Sequence, residues 1–256
     1  MKEIIEKFLE SKKYTSSSNT YKAYFSDLKY LEKHFDSLIE LNNYDKLHKL
    51  KKYLSEKYSQ KTIARKWSVY REFFTYCLNK KIIKDNKILN ISNELANYEN
   101  KISKEKLDHK LLELICDSNP IWWFFYSTGV RVKEFLQYAK LKNLNLVNKE
   151  FILPNRKTFL CSKAFNLLQN HLKKREVSEY LNLDSDIFTD FKGQTLTENY
   201  LYTAFIIDSK KLGLNFKLKD LRKSLIIRLL ENNAKAEDII YMLGFKSEKS
   251  LEKFLT

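Results

Sequence analysis

The chain has 256 residues, of which 43% are hydrophobic; this is enough for two modest folded domains and excludes a disordered protein. Only four glycines and two prolines interrupt it, which favours long helices over a turn-rich β protein. The net charge of +15 indicates polyanions such as nucleic acid as partners, although a lysine-rich composition inherited from an AT-rich genome would give the same excess.

Cysteine and histidine usage argues against a metalloprotein or a disulfide scaffold. Three cysteines and four histidines are scattered along the chain with no metal-ligand spacing, so neither a zinc site nor any other metal site is expected. No segment has the length of a transmembrane helix, and the N-terminus is too charged for a signal peptide. These features predict a soluble, cytoplasmic protein without a membrane partner.

The first ninety residues show apolar spacing typical of helices. The clearest case is a helix predicted over Gln60–Asn79, with Ile63, Trp67, Tyr70 and Phe74 along one buried stripe. The flanks of this helix are basic. They could form a solvated charged surface or lie along a phosphate backbone, and the residues alone do not decide between the two. The basic residues of those flanks are Lys61, Arg65, Lys66, Arg71, Lys80 and Lys81.

A polar segment from about Asn90 to Glu105 interrupts the helical pattern. We therefore predict a helical domain over residues 1–92, a linker over 93–105 and a second domain over 106–256. Within the second domain, Glu150–Leu153 and Thr158–Cys161 read as two strands joined by the basic turn Pro154–Lys157. The predicted fold class is thus mainly α, of the α+β type, with a small antiparallel sheet in the second domain.

One motif of the second domain has the features of an anion site. The segment STGVRVKEFL (Ser127–Leu136) places Arg131 at the start of a helix, where backbone N–H groups and the helix dipole favour a negative charge. A guanidinium can bind two oxygens of a phosphodiester at once. Glu134, one turn later, is placed to hold that guanidinium.

This motif resembles the first catalytic-arginine motif of tyrosine recombinases of the Xer and phage-integrase type. Other segments resemble the family in the same order along the chain. KDLRKS places Arg222 at the second catalytic arginine, and LLENNAKAEDIIYMLGF resembles the helix before the family's LGH motif, with Gly244 in place. SSSNTYKAYFSDLKYLEKHF resembles the opening of the core-binding domain. The resemblance covers nearly the whole chain.

The resemblance implies a fold, partners and a reaction. The fold would be a helical, SAM-like core-binding domain and a mixed helical catalytic domain, closing around DNA as a C-shaped clamp. The partners would be double-stranded DNA and other recombinase protomers, up to a tetramer on the DNA, with no small-molecule substrate, no cofactor and no metal. In the family's reaction a tyrosine attacks the scissile phosphate, and a lysine protonates the leaving 5′ oxygen.

Several catalytic positions depart from the family pattern. Lys219 stands where the family usually has histidine, and Phe245 stands at the position of a histidine or tryptophan donor. Phe254 occupies the position of the nucleophilic tyrosine. The hairpin lysine of the family best matches Lys157, with Arg156 as the alternative. The resemblance also assigns DNA contacts to Lys61, Arg65, Lys66, Arg71 and Arg156.

These departures leave open whether the chain is an enzyme. Phenylalanine has no hydroxyl to attack phosphorus, and nothing promotes the nearby Tyr241 to that role, so we predict a protein that binds DNA without cleaving it. One alternative is an active Xer-like recombinase that carries an engineered Tyr→Phe change at position 254. Another is a basic helical scaffold that binds protein partners.

Overall fold

The computed structural model of the chain describes residues 1–35, 37–88, 107–178 and 180–252. The chain divides into two compact units, Met1–Lys104 and Glu105–Thr256, and each is mainly helical. The predicted fold class is confirmed, including the small antiparallel sheet. The predicted linker over 93–105 and Phe254 lie outside the described residues. The exact domain boundaries and the clamp arrangement stay predictions.

The first unit is built on a long central helix. Its helices are α1 (Lys2–Lys12), α2 (Ser18–His34), α3 (Leu38–Leu41), α4 (Tyr44–Lys57) and α5 (Gln60–Asn79). The side chains of Ser17 and Ser59 accept hydrogen bonds from the first turns of α2 and α5, which fixes where these two helices begin. Phe8 meets Phe73 of α5 edge to face, with ring centroids 5.4 Å apart, inside a core that also buries Trp67.

One basic residue of α5 lies in the interior and corrects the sequence prediction. Lys66 follows Ile63 by three residues and precedes Tyr70 by four, so it shares their buried face. Its Nζ lies 2.7 Å from Oδ1 of Asp27, which is only 1% exposed. The assignment of Lys66 to DNA contact is therefore wrong, because its charge is neutralised inside the unit.

The other three basic residues assigned to DNA contact on α5 differ in exposure. Arg65 also pairs with Asp27, but its side chain stays 46% exposed. Lys61 is exposed, and Arg71 is half-buried. Their roles in DNA binding stay predictions.

The second unit surrounds an apolar helix. Its helices are α6 (His109–Asp117), α7 (Pro120–Thr128), α8 (Val132–Tyr138), α9 (Ser162–Ser178), α10 (Glu198–Lys211), α11 (Leu218–Glu231), α12 (Ala236–Leu243) and α13 (Lys249–Glu252). Residues Ile121 to Thr128 of α7 are all buried, as expected of a helix that is apolar on every side. Phe124 of α7 packs edge to face on Phe135 and Phe151. Among the described residues, no helix is long and apolar enough to cross a membrane.

The sheet of the second unit has three antiparallel strands in sequence order. They are β1 (Leu144–Asn145), β2 (Glu150–Leu153) and β3 (Arg156–Phe159). Leu153 pairs with Arg156, so the connecting turn is only Pro154–Asn155. The predicted turn Pro154–Lys157 was therefore too long, the second strand begins two residues earlier than predicted, and β1 was not predicted. Consequently Arg156 and Lys157 are neighbours in a strand and point to opposite faces.

Candidate functional site

A cavity of about 310 Å³ opens in the second unit where the first turns of α8, α10 and α11 meet. Three of the predicted site residues line it: Arg131 precedes α8, and Lys219 and Arg222 lie in the first turns of α11. The apolar part of the lining comes from Phe125, Val130, Val132, Leu218 and Leu221. Cations are thus gathered at a cleft beside the N-terminal ends of two 14-residue helices, an environment that favours an anion.

Three further polar residues line this cavity, and sequence reasoning missed them. They are Lys133, Glu198 and Tyr202. The burial of Tyr202 and its contact with Glu198 raise the pKa of the phenol. The available signal was Thr197, whose side chain accepts a hydrogen bond from Tyr200 N and so marks the start of α10.

Arg222 is held by backbone carbonyls on two sides. Its Nη1 donates to the carbonyl of Gly129, and its Nη2 donates to the carbonyl of Leu243 at 2.7 Å. Burial, together with the positive charges of Arg131 and Arg156, lowers the pKa of Arg222 to about 10. The group therefore stays protonated at neutral pH, but its charge lacks much of the hydration that an exposed guanidinium has.

Arg131 and Arg156 share one carboxylate. Glu134 Oε1 accepts from Arg131 Nη1 at 3.0 Å, and Oε2 lies 2.8 Å from Arg156 Nη2. Burial opposes ionisation of Glu134, but the contacts with Arg156 and with the Arg131 backbone N–H outweigh it and hold the pKa of this carboxyl below its ordinary value. Glu134 thus holds the Arg131 side chain, as the sequence motif predicts, and holds Arg156 as well.

The turn that ends α12 joins all three guanidinium groups. Arg156 Nε donates to the carbonyl of Met242 at 3.0 Å, Arg222 to that of Leu243, and Arg131 Nη2 to that of Gly244 at 3.0 Å. These carbonyls carry the partial negative charge of a helix C-terminus, which favours cations. Three consecutive peptide groups therefore fix the positions of three arginines.

Two glycines make this close packing possible. Gly129 and Gly244 adopt left-handed backbone conformations, with φ of 60° and 62°. A Cβ at Gly244 would lie 2.7 Å from Arg156 Nη1, and one at Gly129 would lie 2.6 Å from a methyl group of Leu243. A side chain at Gly244 would therefore push Arg156 away from the turn, and one at Gly129 would displace the leucines packed beneath it.

Lys157 does not join this cluster. Its Nζ lies 2.7 Å from Oε1 of Glu150, and its side chain is half exposed. Arg156, whose side chain is 10% exposed, takes the inner place because alternate residues of a strand face opposite sides. Of the two hairpin cations, Arg156 is therefore the one that contacts the cluster. The assignment of Lys157 as the family's hairpin lysine stays a prediction.

Phe245 lies against Arg222 of the cluster. The Arg222 Cζ atom is 5.0 Å from the centroid of the Phe245 ring, within the range of a cation–π contact. Of the residues predicted from the resemblance, the structure thus brings together Arg131, Arg156, Lys219, Arg222 and Phe245, with Glu134 between two of the arginines. Phe254 lies outside the described residues. The described residues contain no group of three or more His, Cys, Asp or Glu side chains that could hold a metal ion.

Comparisons with known proteins indicate the family of this chain. The model of the phage integrase family matches residues 86–255, and that of the phage integrase N-terminal SAM-like domain matches residues 5–81. Tyrosine recombinase XerC of Halalkalibacterium halodurans is 24% identical, across 78% of this chain and 72% of that protein.

Solved structures of low sequence identity share the fold. The Tn1549 transposon integrase in complex with circular intermediate DNA has a TM-score of 0.82 at 14% identity, covering 98% of this chain and 94% of that chain. XerH site-specific recombinase bound to a palindromic difH substrate has a TM-score of 0.70 at 21% identity, covering 98% of this chain and 79% of that chain. Because the integrase model matches well over half of the sequence and the SAM-like model matches the segment before it, the chain belongs to the phage integrase family.

Proposed function

We propose that this chain binds double-stranded DNA, together with other protomers on the same duplex, and holds a backbone phosphate without cleaving it. The observation that carries the proposal is the meeting of Arg131, Lys219 and Arg222 at one cavity. Like charges repel, and a phosphate bound at the cavity would lower that repulsion beyond what Glu134 and the backbone carbonyls already provide. A protein with this function works where DNA is, which supports a cytoplasmic location.

The arginines keep hydrogen-bond donors for a phosphate. In the described part of the chain, their contacts engage two of the five N–H groups of Arg222 and two of those of Arg131. The remaining donors can bind phosphate oxygens, and the Lys219 ammonium can add a point charge at the rim. Each contact would release condensed counterions, so binding should weaken steeply with salt.

The proposed lack of cleavage rests on positions 245 and 254. In an active member of the family a tyrosine attacks the phosphorus while cationic donors stabilise the charge that develops on its oxygens. Phe254 has no hydroxyl, and Phe245 has no hydrogen to donate. The chain would keep the phosphate-binding groups and lack the attacking one.

Removing single cations tests the proposed function. We expect Arg131→Ala to weaken binding of a short duplex about 10–100-fold, because hydrogen bonds to charged groups contribute roughly 1.5–3 kcal/mol. Lys219→Ala should reduce the slope of log affinity against log salt by about 0.9, the value for one lost phosphate contact. Fluorescence anisotropy at several salt concentrations measures both quantities.

The matched control is Lys173→Ala, which removes an exposed lysine of α9 that does not line the cavity. It should leave affinity and slope within about twofold of the unmodified protein. If Arg131→Ala and Lys219→Ala behave like this control, the cavity is not the phosphate site.

A further inference from the structure

The guanidinium of Arg222 is constrained on its edge and on its face. Two of its N–H groups donate to the carbonyls of Gly129 and Leu243 along the edge of the plane. The Phe245 ring lies 5.0 Å from Cζ. Arginine stacks on aromatic faces because the guanidinium is planar and weakly hydrated. Together these contacts leave the side chain little freedom to rotate.

The Phe245 ring is itself fixed by the end of its helix. Gly244 takes a left-handed conformation, and Phe245 N donates to the carbonyl of Ile240 at 3.0 Å, which closes α12. The ring packs against an apolar cluster that includes Leu225, Ile239 and Leu251. A ring held in this way can impose an orientation on the arginine beside it.

The local charges make such a contact valuable. Arg222 is largely removed from water and lies near the positive charges of Arg131 and Arg156. The negative face of an aromatic ring compensates part of the lost hydration, and this attraction is strongest at a desolvated site. An aliphatic side chain of similar volume would fill the space and supply no such compensation.

We infer that Phe245 is a positioning residue: it stacks on Arg222 and holds the guanidinium in the orientation that binds the DNA phosphate. The inference rests on the proposed function, because it concerns the same phosphate site. A histidine or tryptophan at this position would donate a hydrogen bond to the phosphate. Phe245 cannot donate one, and on this view it compensates by orienting the neighbouring donor, Arg222. The site would then be adapted to binding a phosphate rather than merely damaged.

A double-mutant cycle in the full chain tests whether Phe245 acts through Arg222. We expect Phe245→Leu to weaken duplex binding about 3–10-fold, in line with the strength of a partly desolvated cation–π contact. Phe245→Trp keeps an aromatic face and adds an indole N–H donor, so it should bind at least as tightly as the unmodified protein. In an Arg222→Gln background, Phe245→Leu should have less than about a twofold effect, because the cation that it positions is gone.

A second measurement reports the orientation without DNA. The Nε–H signal of Arg222 in a ¹⁵N spectrum is identified by its loss in Arg222→Gln. Its exchange with water should become faster in Phe245→Leu and stay unchanged in Phe245→Trp. If the ring only fills space, Phe245→Leu should weaken binding equally with Arg222 and with Gln at position 222, and the exchange rate should not change. Either result would overturn the inference.

The same variants distinguish failure of the proposed phosphate site from failure of the positioning role of Phe245. If Arg222→Gln itself leaves DNA affinity unchanged while urea unfolding shows a folded protein, the phosphate site is wrong and the inference falls with it. If Arg222→Gln weakens binding but Phe245→Leu does not, the phosphate site stands and only the positioning role is rejected.

Discussion

Replacing Asp27 by leucine is expected to lower the free energy of unfolding by about 3–5 kcal/mol. Asp27 is 1% exposed and is the counter-ion of Lys66, whose side chain is 8% exposed. Without the carboxylate, the Lys66 ammonium would stay inside the first unit with no opposite charge, or it would distort α5 to reach water. Either outcome costs far more than the loss of an exposed ion pair.

The double variant Asp27→Leu/Lys66→Met is the matched control, because it removes both buried charges, while Arg65, the other partner of Asp27, keeps a side chain that is 46% exposed to water. Apolar replacements of a whole buried pair are often neutral, so its stability should lie within about 1 kcal/mol of the unmodified protein. Urea unfolding of the full chain, followed by circular dichroism, measures both variants. A single variant as stable as the original, or a double variant as unstable as the single one, would contradict this account of the pair.

The Asp27–Lys66 pair also shows what could not be predicted from sequence. Apolar periodicity locates α5 correctly, because this signal lies within the helix itself. The burial of Lys66 depends on a carboxylate of α2 that lies elsewhere in the chain, and no local pattern reveals that pairing. Sequence analysis therefore predicts that a lysine on a helix flank is exposed, even where it is buried, as Lys66 is.

The β-hairpin also could be predicted only in part. The apolar runs predict two strands, but the turn length decides which residue opens the second strand. A two-residue turn at Pro154–Asn155 brings Arg156 to the inner face, whereas a longer turn would have placed Lys157 or Thr158 there. The arginine motif around Arg131 was predictable because its contact with Glu134 is made within one helical turn.

The unmodified chain is expected to form no covalent adduct with DNA, and Phe254→Tyr is expected to restore the missing nucleophile. A phenylalanine ring cannot displace the 5′ oxygen, whereas a tyrosine at position 254 can. The assay is adduct formation on a denaturing gel, with a suicide duplex that carries a site selected by binding to this protein. Phe254→Tyr combined with Arg131→Ala is the control, since it has a nucleophile but lacks a phosphate ligand, and should give no detectable adduct.

The rate of the single variant distinguishes two origins of Phe254, an engineered change and a natural loss of cleavage. If the phenylalanine is an engineered change, Phe254→Tyr alone should react as fast as Phe254→Tyr/Phe245→His. If cleavage was lost naturally, Phe245 still denies the phosphate a donor, and one such donor contributes about 10²–10³ in rate. The double variant should then exceed the single one by about that factor, although it exchanges the phenyl ring that now lies over Arg222 for an imidazole. An adduct formed by the unmodified chain would refute the non-cleaving proposal. Tyr241 would then be the first residue to test as the nucleophile, because it is half exposed and lies on α12, the helix that ends at the arginine cluster. Loss of the adduct in Tyr241→Phe would identify it.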